Sequence, residues 1–171
     1  MDNNQVYIHY GSDHFRPKMA KKAKNSRIPW TKPEHGTGLW GSRVDGSYGW
    51  KDWCENEDNE EWLEGGSFLF TLKPEANMVM LNNAADFEKL PEVDIFKLGL
   101  KESDFIRRTF YPDFEKCLEQ GIDAIELGWY GDEWEDVKSD DLYMALYGWD
   151  CDCILVLNPD VIVPIEKGEL K

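Results

Sequence analysis

A chain of 171 residues falls within the usual size of one domain and can bury most of its apolar surface without disulfides or metal. Thirty-four acidic against nineteen basic side chains give a formal charge of −15, which repels a nucleic-acid backbone and argues against a general DNA binder. Eight Trp, seven Tyr and eight Phe form the other bias, and because several Trp stand beside Gly or acids, some of these rings are expected to line a cleft while the rest fill a core.

The first β-type run is Val6-Tyr7-Ile8-His9-Tyr10, closed by Gly11-Ser12-Asp13, so a strand end delivers His9, Tyr10 and the Gly11 backbone to a loop. Residues 16–27 then carry Arg16, Lys18, Lys21, Lys22, Lys24 and Arg27 without a single acid. Removing those six charges from −15 leaves −21, so this is the one basic patch; a charge run of this kind holds a phosphate or nucleic acid, or, more often, is simply solvated on a short helix or flexible loop. A turn-rich stretch around Pro33 and Gly36 leads to a short strand, Leu39-Trp40-Gly41-Ser42, where glycines on both sides of Trp40 are expected to let a backbone or flat ligand approach the ring. Ser47 is the candidate N-cap of a helix in which Trp50, Trp53 and Cys54 share a face, Trp53 toward the core.

Further along, 67–72 and 78–81 read as strands, Asn83 as the cap of a short helix, and 91–109 as irregular chain with helical turns. Helical spacing of Tyr111, Phe114, Cys117 and Leu118 stops at Gly121, and 122–127 resumes as a strand. A loop over 128–141 carries Trp129, Tyr130 and Trp134 among acids, and Asp140-Asp141 caps a helix over 142–147. The last strand, Ile154 to Leu157, is entered through Asp150 and Asp152 and left through Asn158-Pro159-Asp160. Period-two geometry predicts that both acids share the face of Ile154 and Val156. Cys54, Cys117, Cys151 and Cys153 make no paired framework, and His9, His14 and His35 lie far from the Cys-x-Cys pair, so reduced thiols packed as small apolar groups are expected rather than zinc. No apolar run approaches a membrane span and Met1-Asp2-Asn3-Asn4-Gln5 lacks signal-peptide features, so the expected compartment is the cytoplasm.

Four of these runs taken in order resemble one family: Ile8-His9-Tyr10-Gly11-Ser12, Gly38-Leu39-Trp40-Gly41-Ser42, Gly121-Ile122-Asp123-Ala124-Ile125, and Asp152-Cys153 through Asn158-Pro159. Together they are similar to the ADP-ribosyltransferases, whose members show a Tyr-His-Gly-Ser/Thr strand end, a Gly-x-Tyr strand with an aromatic-bearing helix after it, a Gly-hydrophobic-Asp strand, and a late Asn-Pro strand preceded by an acid. The resemblance spans nearly the whole chain. It implies one α+β domain over 1–171, with a split, mainly antiparallel sheet and short flanking helices. It also implies an NAD-dependent mono-ADP-ribosyltransferase, like the toxins and phage effectors of this fold, taking NAD as co-substrate and a protein or nucleic acid as acceptor.

Carried over by position, the resemblance gives Gly11 the role of holding the nicotinamide amide, with Ser12 beside it. The family's ribose-binding histidine falls on Tyr10, with His9 one residue earlier, and a bulged strand end would let His9 substitute. Trp40 takes the place of the second-strand aromatic, next to Ser42, and Tyr48 or Trp50 that of the ring stacked on nicotinamide. Asp152, or alternatively Asp150, stands where the family has its catalytic glutamate. A second reading is a non-catalytic acidic protein whose charge and exposed tryptophans bind a basic partner. A third, a small-ligand or carbohydrate-binding module, rests on the tryptophans and acids together in Trp129 to Asp136.

Overall fold

The computed structural model describes residues 5–99, 103–128 and 144–166. Of the expected aromatic loop over 128–141 all but Gly128 lies outside these residues, as do the cap at Asp140-Asp141 and the first two residues of the expected helix over 142–147. Seven strands follow in sequence: β1 (Tyr7–Tyr10), β2 (Leu39–Arg43), β3 (Ser67–Leu72), β4 (Met78–Leu81), β5 (Ala124–Leu127), β6 (Cys153–Val156) and β7 (Ile162–Ile165). Helices are short: α1 (Trp50–Asn56), α2 (Asp104–Arg108) and α3 (Phe114–Glu119). The strands form one sheet in the order β4-β5-β6-β2-β1-β3-β7, antiparallel throughout except for the β4/β5 pair. The molecule is thus an α+β fold on a mainly antiparallel sheet, and among the described residues no helix is long and apolar enough to cross a membrane.

β5 and β6 lie inside the sheet and are buried along their whole length, which is why they read as short, nearly continuous apolar runs. Alternation divides their side chains between two cores. Ile125, Leu127 and Leu155 face one side with Leu81, Phe114, Cys117 and Trp149; Ala124, Ile154 and Val156 face the other with Tyr7, Phe68, Phe70 and Ile162. All four cysteines are buried and unpaired by disulfides, two of them at positions that pack the first core from α3 and β6. Burial pushes the Cys117 thiol up to about 12 and raises that of Cys54, so these groups behave as small hydrophobes rather than nucleophiles.

Several local expectations hold with a physical reason attached. Asn83 accepts a hydrogen bond from the Ala85 amide (3.0 Å) at the start of the 3-10 turn over Ala84–Lys89, and Gly121 ends α3 at a positive φ of 76°. The cap of α1 is different. Helix α1 starts after Gly49 rather than Ser47, and its Trp50 amide donates to Ser42 Oγ (2.9 Å), a hydroxyl supplied from β2 eight residues upstream. Strand β7 carries Pro164 and forms the sheet edge against β3, where a missing backbone donor is tolerated.

β2 is the strand that organises the site. Its first half, Leu39 to Gly41, pairs with β6, while Ser42 and Arg43 pair with Ile8 and Tyr7 of β1. On its other side β1 keeps regular pairing with β3 through Tyr10. The β1/β2 ladder therefore ends at Ile8, and beyond it the His9 ring, not a backbone amide, meets the Trp40 carbonyl at 2.7 Å.

Candidate functional site

A cavity of about 310 Å3 opens where that ladder ends. From β1 it takes Ile8, His9 and Tyr10, from β2 Trp40, Gly41 and Ser42, and from α1 Trp50; Trp62, Lys32 and the segment from Gly148 to Cys151 complete the wall. Four tryptophans converge here. Trp40 and Trp149 meet edge to face with centroids 4.8 Å apart, and Trp149 is fixed by its indole N–H donating to the Thr31 carbonyl (2.9 Å). On the opposite wall Trp50 stacks on Trp53 (5.0 Å) and on Trp62 (5.8 Å), the last ring half exposed. Trp53 packs behind Trp50 and does not border the cavity.

Two ionisable groups stand among these rings. A carbonyl only accepts, so His9 Nδ1 carries the proton in its bond to Trp40, and Nε2 remains as the ring's acceptor. Burial lowers the His9 pKa and the Trp40 carbonyl only partly offsets it, which keeps the ring neutral near pH 7. Asp150 is half-buried; burial raises its carboxyl above the usual range, with Lys32 opposing and Glu57 adding to the rise. A carboxylate held partly out of water beside aromatic faces is suited to a cationic, flat ligand.

The residues singled out by sequence divide. His9, Tyr10, Trp40, Ser42, Trp50 and Asp150 are brought together; Gly11, Ser12, Tyr48 and Asp152 do not line this cavity. Gly11, at a φ of 97°, spends its amide on the Gly66 carbonyl (2.9 Å), and Ser12 bonds the His14 carbonyl, so this turn is stapled to the start of β3. Because β1 runs without a bulge to Tyr10, His9 does not take over the position of Tyr10, and the two side chains leave the strand on opposite faces. The glycines beside Trp40 answer to the protein itself: a Cβ on Gly38 would stand 2.9 Å from Leu155, and one on Gly41 3.0 Å from Phe70.

The two acids before β6 do not share a face. Strand geometry begins only at Cys153, and Cys151 and Asp152 before it are bends, so period-two alternation does not carry back to Asp150. Asp152 borders a second cavity of about 300 Å3 with Arg43, Asp45 and Glu126, on the face that carries Ile154. Its backbone is clamped, the amide to the Tyr48 carbonyl (3.0 Å) and the carbonyl to the Ser42 hydroxyl (3.2 Å). Ser42 thus joins β2, α1 and the approach to β6 through one buried oxygen.

Sequence reasoning did not single out Lys32, Trp62, Trp149 or Glu126 as members of either cavity. Trp62 had a visible signal, an indole inside the acidic run Glu60-Glu61-Trp62-Leu63-Glu64. Glu126 had one too, a lone carboxylate inside an apolar strand. Its oxygens take Arg43 Nε (2.5 Å), Arg43 Nη2 (2.9 Å) and the Tyr7 hydroxyl (3.2 Å). Among the described residues no group of three or more His, Cys, Asp or Glu is placed to hold a metal ion. Comparison of the chain with protein-family models, with curated proteins and with solved structures finds no match.

Proposed function

We propose that this chain binds NAD with the nicotinamide end in the tryptophan-lined cavity and acts as a mono-ADP-ribosyltransferase on an ADP-ribosyltransferase-like domain, with Asp150 rather than Asp152 as its acid. The observation that carries the reading is the half-buried Asp150 carboxylate in one cavity with Trp40, Trp50, Trp62 and Trp149. The nicotinamide ring of NAD is a flat cation, so indole faces attract it through their quadrupoles and the carboxylate through its charge. The volume, about 310 Å3, is at the low end for ligand pockets and suits the nicotinamide riboside end, the adenosine half lying outside.

The residues present fit that group in part. Trp50 supplies the stacking ring, and His9 Nε2 is available to accept from a ribose hydroxyl. The Gly11 amide, already engaged with Gly66, is not available to hold the carboxamide. Breaking the nicotinamide–ribose bond develops positive charge on the ribose, and a fixed carboxylate stabilises that charge more than the ground state. Asp150 is in a position to do this in a cavity walled by apolar rings.

The test is a titration of NAD followed by Trp fluorescence, with nicotinamide release measured in parallel. Quenching and release are expected; Asp150→Asn should lower release by about 10²-fold or more while Asp152→Asn leaves it within a few-fold. Absence of both quenching and release at millimolar NAD rejects the reading, and a reversed order of the two variants reassigns the acid.

A further inference from the structure

Residues 16–32 form a band, turning at 17–19 and bending at 27–28 and 31–32, that is tied to the chain beside β2 and β6, and we infer that this band is a docking surface for single-stranded nucleic acid. Its backbone is pinned at several points. The Gly38 amide donates to the Lys21 carbonyl (2.7 Å), the Ala23 amide to Leu157 (2.8 Å), the Lys24 amide to Thr37 Oγ1 (3.1 Å) and the Glu34 amide to Lys24 (2.9 Å). Asn25 joins the band to the start of α3, donating to Asp113 (2.8 Å) and accepting from the Phe114 amide (2.8 Å). Ala20 and Ala23 are buried beneath it, so the small apolar side chains go inward and the long cationic ones outward.

Arg16, Lys18, Lys21, Lys22, Lys24 and Arg27 are all exposed, and among the described residues only Lys22 of these six is in a salt bridge, at 3.6 Å to an exposed Asp160. Five cations on a pinned backbone without a salt bridge among the described residues are unusual in a protein of charge −15, because acids are plentiful. The overall charge does not veto binding. Fields from exposed charges fade over about 8 Å at physiological salt, so a phosphate on the band senses these six cations, with Asp160 and Asp113 beside them, more than the acids elsewhere on the chain.

The chemistry at the band's C-terminal end separates a nucleic acid from other polyanions. Ile28 and Trp30 are exposed, and Trp30 meets Tyr147 edge to face at 6.4 Å, giving partly exposed rings beside Arg27 on which unstacked bases can lie. A duplex hides its bases and presents two charged backbones to an acidic protein; a single strand presents one backbone and free bases. Two residues past Trp30, Lys32 enters the wall of the tryptophan cavity, and the Thr31 hydroxyl donates to the Tyr147 carbonyl (2.7 Å), joining band and cavity wall. On the NAD reading above, on which this last step rests, a strand lying here is the ADP-ribose acceptor.

Fluorescence anisotropy with labelled 12-nucleotide oligo-dT and oligo-rU on the full chain tests the inference. Binding should weaken with salt. The exposed replacements Lys21→Glu with Lys24→Glu should lower affinity by about tenfold or more and flatten the log–log salt slope by about 1.4. Trp30→Ala should lower it by about tenfold through lost stacking. Near-UV circular dichroism and NAD titration of the charge variant should match the unaltered protein. No oligonucleotide binding at low salt, equal binding by the variants, or equal affinity for duplex DNA or polyglutamate each overturns it. If the oligonucleotide binds but NAD gives neither quenching nor nicotinamide release, the band stands and the NAD reading fails; if nicotinamide is released and nothing binds the band, this inference fails alone.

Discussion

Two cavities of similar size flank the approach to β6, and each contains one of its two acids, yet their electrostatics are opposite. In the second, the Glu126 carboxylate is fully buried and already committed to Arg43 and Tyr7. The pair raises the Arg43 guanidinium, and burial followed by the Glu126 charge raises the Tyr7 phenol, so both donors hold their protons across the whole physiological range. In the first, Asp150 has no such partner at bonding distance among the described residues; Lys32 only tempers the rise that burial imposes. A carboxylate whose lone pairs are spent holds strands together, whereas one that burial has left electrostatically unsatisfied gains from a cationic ligand.

The largest test of this contrast is Arg43→Leu. It leaves Glu126 buried without its cation, and urea unfolding should show a loss of about 3 kcal/mol, toward the lower end for a broken buried pair because the guanidinium is partly exposed. Replacing Glu126 by Leu as well should recover much of that loss; no recovery would show that the pair does more than balance charge. Next in size is the tryptophan wall: Trp50→Ala should weaken NAD binding by about tenfold, Trp53→Ala by much less, since only the former borders the cavity. Equal losses would mean that the stack acts as one unit.

The smallest effect concerns pH. The folded-state pKa of His9 lies below its ordinary 6.5, so between the two values the unfolded chain binds the extra proton. Stability from this residue is therefore intact above pH 6.5, falls as the pH drops below it, and levels off under the lowered value. His9→Gln should flatten that limb of the stability profile, measured by denaturant midpoints at a series of pH values. Asp150 works in the same direction on ligand binding: with its pKa raised, NAD affinity should begin to fall at a higher pH than for an ordinary carboxylate.

Six of the ten site residues named from sequence meet in one cavity, and what brings these together and keeps the others apart is specific. His9, Tyr10 and Trp40 were legible because strand ends declare themselves through alternation and the glycines after them. Asp150 and Asp152 share a face only on a strand that continues backward through Cys151 and Asp152, and those two residues bend. A glycine at positive φ says in sequence only that the backbone turns there, and the partner of the Gly11 amide, the Gly66 carbonyl, lies 55 positions away. Ser42 was seen as a site residue and proved to be a clasp, since a hydroxyl reads the same in sequence whether it meets a ligand or the start of a helix.

What the sequence determined by itself is what depends on neighbours a few residues apart: the strands β1 to β6, the cap at Asn83, the stop at Gly121, and the small buried cysteines. The order of the strands, the early end of the β1/β2 ladder, and the assignment of the two acids to different cavities were decided only in the tertiary structure. The physical reason is range. Periodicity and turn chemistry act within one element, whereas a cavity exists because β2 divides its pairing between β1 and β6, and Ile8 and Ile154, the neighbours that set that division, are 146 positions apart.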